Sequence, residues 1–127
     1  MKPYETLNAG GIEYHFKITT ANAVKLEEDL GTDLLSGMTN INKINVLAKY
    51  LFAAAVSQND TINEIEDIYS MIDDHITDSG TYEQLQELVI QILLTSGILT
   101  QKMYDKSKAL QKNFEEKEKA VLQKLSS

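Results

Sequence analysis

The residues best suited to chemistry lie in an acidic run at 73–78, with the sequence DDHITD. On a helix, Asp74 and Asp78 are four residues apart and share a face, and His75 lies near Asp78. Carboxylate and imidazole groups placed close together are the groups that bind divalent metals or act as a general acid and base. The run is therefore the one candidate in this sequence for a metal or acid–base site.

The same run has a purely structural interpretation as the solvated end of an amphipathic helix. Catalytic work would require these groups to lie in a cleft that shifts their pKa values. Nothing in the neighbouring sequence supplies the further ligand shell that a metal site needs. The side of the helix expected to be buried is already taken by isoleucines, namely Ile65, Ile68, Ile72 and Ile76. We therefore expect no catalytic residue and no metal site here.

Other routes to chemistry are also poorly supported. The chain has no Cys, which excludes disulfides, thiolate metal sites and a Cys-His pair. No Ser-His-Asp arrangement has local support. Gly10-Gly11 lacks the additional glycines, the Lys and the following helix of a phosphate loop. His15 lies opposite the apolar face of its predicted strand and is expected to be exposed. The sequence therefore predicts a binding or assembly module without a cofactor rather than an enzyme.

Composition and charge narrow the class further. The chain has 127 residues, 43% of them hydrophobic, which suits a single globular domain. Its net charge is −7, with fifteen acids and five lysines in residues 1–99 (−10) and four acids and seven lysines in residues 100–127 (+3). There is no Arg, the usual bidentate reader of phosphate and guanine, so we expect no nucleic-acid partner. With no apolar run long enough for a signal peptide or a membrane span, we expect a soluble, intracellular protein.

The N-terminus has the pattern of a β-hairpin. Two runs with period-two alternation, 3–8 and 12–18, flank Ala9 and the glycine pair Gly10-Gly11. An isolated two-stranded hairpin is marginal in water, so its apolar face must be covered. That face is formed by Ile12, Tyr14, Phe16 and Ile18. We expect it to pack on the helix that contains Leu26 and Leu30.

The rest of the chain is predicted to be helical. The first helix begins after an N-cap at Thr19 or Thr20 and ends at Gly31. A short turn or one-turn helix at 33–38 precedes a helix over 42–57. The apolar stripe of the first helix is Ala23, Leu26 and Leu30, and that of the later helix is Ile44, Leu47, Leu51, Ala54 and Ala55, widened by Phe52.

Two capping boxes predict the starts of two more helices. Thr61 is followed three residues later by Glu64, and Thr81 is followed three residues later by Gln84. Gly80 separates these helices and Gly97 ends the second. The first stripe is Ile65, Ile68, Tyr69, Ile72 and Ile76, and the second is Leu85, Leu88, Val89, Ile92 and Leu93.

A last helix is predicted from Thr100 to about Leu125, with few apolar residues. Four of them fall close to one side and are the candidate partner-binding residues: Leu110, Phe114, Val121 and Leu125. We expect this helix to associate with a client or with another copy, and the alternative is that it folds back on its own domain. The predicted fold is mostly α, with an N-terminal hairpin packed on a compact bundle of about five helices in residues 1–99 and a long polar helix in 100–127.

The order of these elements resembles the tail assembly chaperones of long-tailed, siphovirus-type bacteriophages and prophages of Gram-positive bacteria. The segments that carry the resemblance are a strand "EYHFKITT", a helix "ANAVKLEEDLG", a short "DLL", a helix rich in Leu and Ala at 42–57, and helices containing "EIEDIYSMIDDHI" and "YEQLQELVIQILLTSGIL". They cover most of residues 4–99, and no motif matches the tail after Leu99.

The resemblance implies a non-catalytic role in the bacterial host cytoplasm. Members of this family are thought to coat the helical tape measure protein until the tail tube polymerises around it. The implied partners are the tape measure protein, the tail tube protein and other copies of the chain, with no nucleic acid and no membrane. One alternative is a head–tail connector, neck or minor tail protein retained in the virion. Another is a small regulatory, antitoxin-like helical protein.

Overall fold

A computed structural model of the chain describes residues 3–106. The fold is mostly helical, with an antiparallel β-hairpin at the N-terminus that packs on the helices, as predicted. A 3-10 turn at Met38–Asn40 follows a short helix at Leu34–Gly37, and residues 101–106 are helical. The elements are β1 (Glu5–Ala9), β2 (Ile12–Phe16), α1 (Thr20–Leu30), α2 (Leu34–Gly37), α3 (Ile44–Ala55), α4 (Ile65–Thr77) and α5 (Tyr82–Thr95).

The hairpin turns at the glycine pair, as its spacing predicts. Gly10 has φ 59° and Gly11 has φ 78°, so both central residues lie in the left-handed region that a two-residue hairpin turn favours. Ala9 pairs with Ile12 directly beside the turn. The predicted apolar face is confirmed at three positions, Tyr14, Phe16 and Ile18, which are buried. It is wrong at Ile12, which lies at the end of the hairpin and remains 43% exposed.

The hairpin packs mainly on α3, α4 and α5, so the prediction that it would cover α1 is wrong. β2 lies against α3, and β1 lies against α4 and α5. Two backbone groups just beyond β2 fix this position: the Lys17 N–H donates to the Ala54 carbonyl at 2.9 Å, and the Ile18 N–H donates to Ser96 Oγ at 3.0 Å. Helix α1 packs instead on α3, where Leu26 is buried.

Helix ends follow the local sequence, with one shift of register. Thr19 accepts the N–H of Asn22, and Gly31 ends α1 in the left-handed conformation with φ 72°. For α5 the predicted capping box of Thr81 and Gln84 is confirmed. For α4 the predicted box is wrong, because the helix begins three residues later.

The capping box of α4 is formed by Glu64 and Asp67 rather than by Thr61 and Glu64. Asp67 Oδ2 accepts the N–H groups of Asn63 and Glu64, each at 2.9 Å. These two hydrogen bonds hold the pKa of the Asp67 carboxyl below its ordinary value.

A pair of threonine variants tests this assignment of caps. Thr81→Ala is expected to cost about 1 kcal/mol of unfolding free energy, because the first turn of α5 loses its side-chain acceptor. Thr61→Ala is the matched control and should change stability by less than about 0.5 kcal/mol, because Thr61 is exposed and caps no helix. Urea denaturation measures both. A loss at Thr61 equal to that at Thr81 would contradict the assignment.

Helix α3 lies at the centre of the core. Its predicted stripe is confirmed at Leu47, Leu51, Ala54 and Ala55, but its first member, Ile44, is 51% exposed at the beginning of the helix. Tyr50 is fully buried, which the predicted stripe did not include, and its hydroxyl donates to the Leu34 carbonyl. Burial and nearby negative charge raise the pKa of this phenol. Helix α2 is thereby fixed to α3.

The faces of α4 and α5 differ in how well they follow the predicted stripes. The α5 stripe is confirmed: Leu85, Val89, Ile92 and Leu93 are buried, and Leu88 is partly buried. On α4 the buried face is rotated relative to the prediction, leaving Tyr69 and Ile76 exposed. The residues buried on α4 are Ile68, Met71, Ile72 and His75.

The predicted last helix is described only at its start. Thr100 Oγ1 accepts the N–H of Met103 at 3.2 Å, as expected of an N-cap, and Tyr104 packs partly on the core. The four candidate partner-binding residues lie outside the described residues: Leu110, Phe114, Val121 and Leu125.

Candidate functional site

The histidine of the acidic run is buried, contrary to the expectation of a solvated helix end. His75 is 7% exposed and lies on the core side of α4. Its Nε2 is 3.0 Å from the Thr81 carbonyl oxygen, and its own carbonyl accepts the Gly80 N–H at 2.8 Å. These contacts join the end of α4 to the beginning of α5. His75 thus has a structural position at the turn between the two helices.

The aspartates of the run lie against the turn of the β-hairpin. Asp78 Oδ2 accepts the Gly10 N–H at 2.8 Å. Asp74 approaches the same glycine so closely that a Cβ at position 10 would lie 2.7 Å from its Oδ2. Burial raises the pKa of the Tyr14 phenol, and the negative charge of Asp74 raises it further. Asp78 therefore holds the hairpin tip against the end of α4, and Asp74 packs beside it.

In the part of the chain that the structure describes, the side chains of this cluster are not grouped as metal ligands. Across residues 3–106, no three His, Asp or Glu side chains are placed to hold a metal ion. The polar groups of the run instead contact backbone groups of the hairpin and of the α4–α5 turn. Its residue types have a sufficient structural explanation.

A second polar contact, missed in the sequence, covers the outer edge of the hairpin. The side-chain amide of Asn59 pairs with His15 as a neighbouring strand would, accepting its N–H at 2.9 Å and donating to its carbonyl at 2.7 Å. Asn59 also donates to the Ala55 carbonyl at 2.9 Å. The ring of His15 stacks on Tyr4 at a centroid distance of 4.2 Å, so His15 is partly covered rather than fully exposed. Unpaired strand edges invite unwanted pairing, and Asn59 closes this one.

Replacing Asn59 tests this contact. Asn59→Asp keeps the size of the side chain but substitutes an oxygen for the donor that serves the carbonyls of His15 and Ala55. We expect a loss of about 1–3 kcal/mol and faster hydrogen exchange at the amides of β2, because the His15 carbonyl loses its partner and the Ala55 carbonyl loses one of its three donors. The matched control is Gln58→Glu, which adds the same charge one residue away and should cost less than about 0.5 kcal/mol. Equal losses would show that charge, not the hydrogen bonds, is responsible.

A groove with an apolar floor lies between α1 and α3 on the described surface. The two helices run antiparallel, because Asn22 Nδ2 donates to Ser57 Oγ at one end and Lys49 Nζ donates to the Asp29 carbonyl at the other, at 3.2 and 3.3 Å. The groove has a volume of about 220 Å³. It is lined by Asn22, Lys25, Leu26 and Asp29 of α1, by Lys49, Phe52, Ala53 and Val56 at the end of α3, and by Ile65 of α4.

The floor of the groove is apolar and its sides are charged. Leu26 and Ala53 are buried, whereas Phe52, Val56 and Ile65 remain partly accessible. Along each helix the lining residues recur at intervals of three and four, which places them on one side. The eight residues from Asn22 to Asp29 span about 10 Å. The groove is therefore about two helical turns long.

The apolar surface extends beyond the groove along α4. Tyr69 is one turn from Ile65 on the same side of α4, and 42% of its surface is exposed. The predicted apolar stripe of α4 is thus divided, because part of it enters the core and part remains on the surface. A partner longer than two turns would meet further apolar contact at Tyr69.

The dimensions of the groove favour a helix over a small molecule. Ligand pockets usually enclose about 300–1,000 Å³, more than this groove offers. An open, two-turn trough with an apolar floor is the geometry in which amphipathic helices dock through residues at i, i+3, i+4 and i+7. This groove depends on the pairing of α1 with α3, which the spacing of apolar residues along each helix does not reveal.

Comparisons of the chain with protein-family models, with curated protein sequences and with solved structures find no match. Among the helices of residues 3–106, none is both long and apolar enough to cross a membrane.

Proposed function

We propose that the protein is a phage tail assembly chaperone that binds the tape measure protein and keeps it soluble until the tail tube polymerises. The proposal combines the order of segments in residues 4–99, which resembles this family, with the two-turn apolar groove between α1 and α3. The groove is the observation that carries it, because a long helical client is the kind of partner that such a trough fits.

In this proposal the protein acts without catalysis, in the cytoplasm of the bacterial host. The accessible apolar side chains of the groove cover one stretch of a client helix, and each buried apolar side chain contributes about 1.5–3 kcal/mol before the costs of association. Two turns offer only a few such contacts, so each copy binds weakly and is displaced when the tube forms. Many copies along one tape measure protein would together prevent its aggregation.

Pull-down from a co-expression strain tests the docking site. Tagged wild-type protein should retain the tape measure protein of the same phage, and Phe52→Ala should lose it, because Phe52 supplies the largest accessible side chain of the groove. Ile44→Ala is the matched control on the same helix, since Ile44 is exposed and does not line the groove. Thermal melts of all three proteins establish that they are folded. Equal retention by the two variants would exclude the groove as the docking site.

Mass spectrometry of purified virions separates this role from that of a structural component. A chaperone that is displaced during assembly should be missing from finished particles, although it is present in the infected cell. Detection in virions at a stoichiometry comparable to that of tail proteins would favour a connector, neck or minor tail protein instead.

A further inference from the structure

The groove is a cationic site on an acidic body. Residues 1–99 hold fifteen acids and only five lysines, yet two of those lysines, Lys25 and Lys49, line the groove. Asp29 is the single acid among the lining residues. The lining therefore carries a net charge of +1, whereas residues 1–99 as a whole carry −10. This local reversal of charge indicates the charge of the partner, which the apolar floor alone does not.

The two ammonium groups are placed to receive acidic partners. Lys25 lies on the α1 wall and Lys49 on the α3 wall, so they flank the floor from opposite sides. Lys49 Nζ donates to the backbone carbonyl of Asp29, which leaves two of its three donors for a ligand. Within residues 3–106, neither lysine lies within salt-bridge distance of a carboxylate.

We infer that the groove receives an amphipathic helix whose apolar stripe is flanked on both sides by acidic residues. The inference rests on the proposed function for the helical nature of the client and adds the chemistry of the segment recognised. Apolar residues at i, i+4 and i+7 cover Phe52, Val56 and the floor, and Glu or Asp beside the stripe meets Lys25 and Lys49. Complementary charge of this kind selects partners and raises association rates more than it adds affinity.

A competing occupant is the chain's own segment 107–127, supplied by a second copy. That segment has five lysines and three glutamates, so its net charge of +2 has the same sign as the groove lining. Like charge disfavours it relative to an acidic helix. Its peptide therefore belongs in the test as an alternative ligand.

Synthetic helical peptides with one leucine stripe and three different flanks test the inference directly. The flanking residues are Glu, Gln or Lys, and a fourth peptide has the sequence of segment 107–127. Fluorescence anisotropy measures the binding of each peptide to the full chain. We expect the Glu-flanked peptide to bind about tenfold more tightly than the Lys-flanked one at low salt, and the difference to shrink at high salt. The double variant Lys25→Glu/Lys49→Glu should reverse the order. The matched control, Lys17→Glu/Lys43→Glu, changes the net charge by the same amount at exposed lysines outside the groove. It should bind the peptides in the same order of affinity as the wild type.

Each remaining outcome counts against the inference. Equal binding of all flanks, or no binding by any peptide, would overturn it, as would tightest binding of the 107–127 peptide or the same reversal in the control variant. These results do not decide the proposed function. If Phe52→Ala still loses the tape measure protein in the pull-down, the groove remains the docking site and only the acidic character of its ligand is wrong.

Discussion

Phe16→Ala is expected to lower the free energy of unfolding by about 3–5 kcal/mol. Phe16 ends β2 and has 0% of its surface exposed, so the substitution leaves a cavity between the hairpin and the helices. The adjacent Lys17 N–H donates to the Ala54 carbonyl of α3, which limits how far the strand can move inward to fill the space. Urea denaturation followed by circular dichroism measures the loss.

Ile12→Ala provides the control within the same strand. Ile12 was also predicted to be buried, yet it is 43% exposed. We expect its replacement to change stability by less than about 0.5 kcal/mol. If Phe16→Ala and Ile12→Ala cost the same, or if Phe16→Ala melts like the wild type, the hairpin does not pack on the helices as described.

Gly80→Ala is expected to lower the free energy of unfolding by about 1–3 kcal/mol or more, the usual cost of adding a group to a filled site. A Cβ at position 80 would lie 2.3 Å from both Cε1 and Nε2 of His75. The imidazole cannot simply turn away, because its Nε2 contacts the Thr81 carbonyl at 3.0 Å and the ring is buried. The substitution therefore forces either the ring or the α4–α5 turn to move. Thermal and urea denaturation report the cost.

A double-mutant cycle with His75→Ala isolates the cause. Removing the imidazole removes the atoms with which the new methyl group collides, so Gly80→Ala should cost much less in the His75→Ala background than in the wild type. Coupling of about 0.5–3 kcal/mol is typical of residues in direct contact. Additive effects would show that Gly80 is needed for a reason other than the approach of His75.

Features determined by neighbouring residues were predictable from the sequence. The glycine pair specifies the hairpin turn, Thr19 and Gly31 bound α1, and the box of Thr81 and Gln84 begins α5. In each case the groups that satisfy the backbone lie within a few residues of it. No contact with a distant part of the chain is needed to determine where the turn forms or where these helices begin and end.

The beginning of α4 shows where local chemistry becomes ambiguous. Two capping patterns overlap there: Thr61 to Glu64 follows the usual Ser/Thr-x-x-Glu/Gln rule, whereas Glu64 to Asp67 pairs two acidic residues. The later one is used, and Ile62, which the earlier register would have placed in the first turn, is buried in the preceding loop. Tertiary burial thus shifted the helix by three residues.

The candidate sites depend on contacts that spacing does not reveal. His75 is buried because the α4–α5 turn brings the Thr81 carbonyl to its ring, and Asp78 is engaged because the distant Gly10 folds against it. The groove likewise arises from antiparallel pairing of α1 with α3, which brings Lys25 and Phe52 to one trough. The sequence placed Phe52 beside the apolar stripe of its helix, but it did not indicate which helix would face it.

The central claim is that this protein keeps a helical tape measure protein soluble, and the most direct measurement is the soluble fraction of that client in co-expression. We predict that the tape measure protein is largely insoluble alone, becomes soluble with the wild-type chain or with Ile44→Ala, and returns to the insoluble fraction with Phe52→Ala. A client whose solubility is the same with and without the wild-type chain would contradict the account.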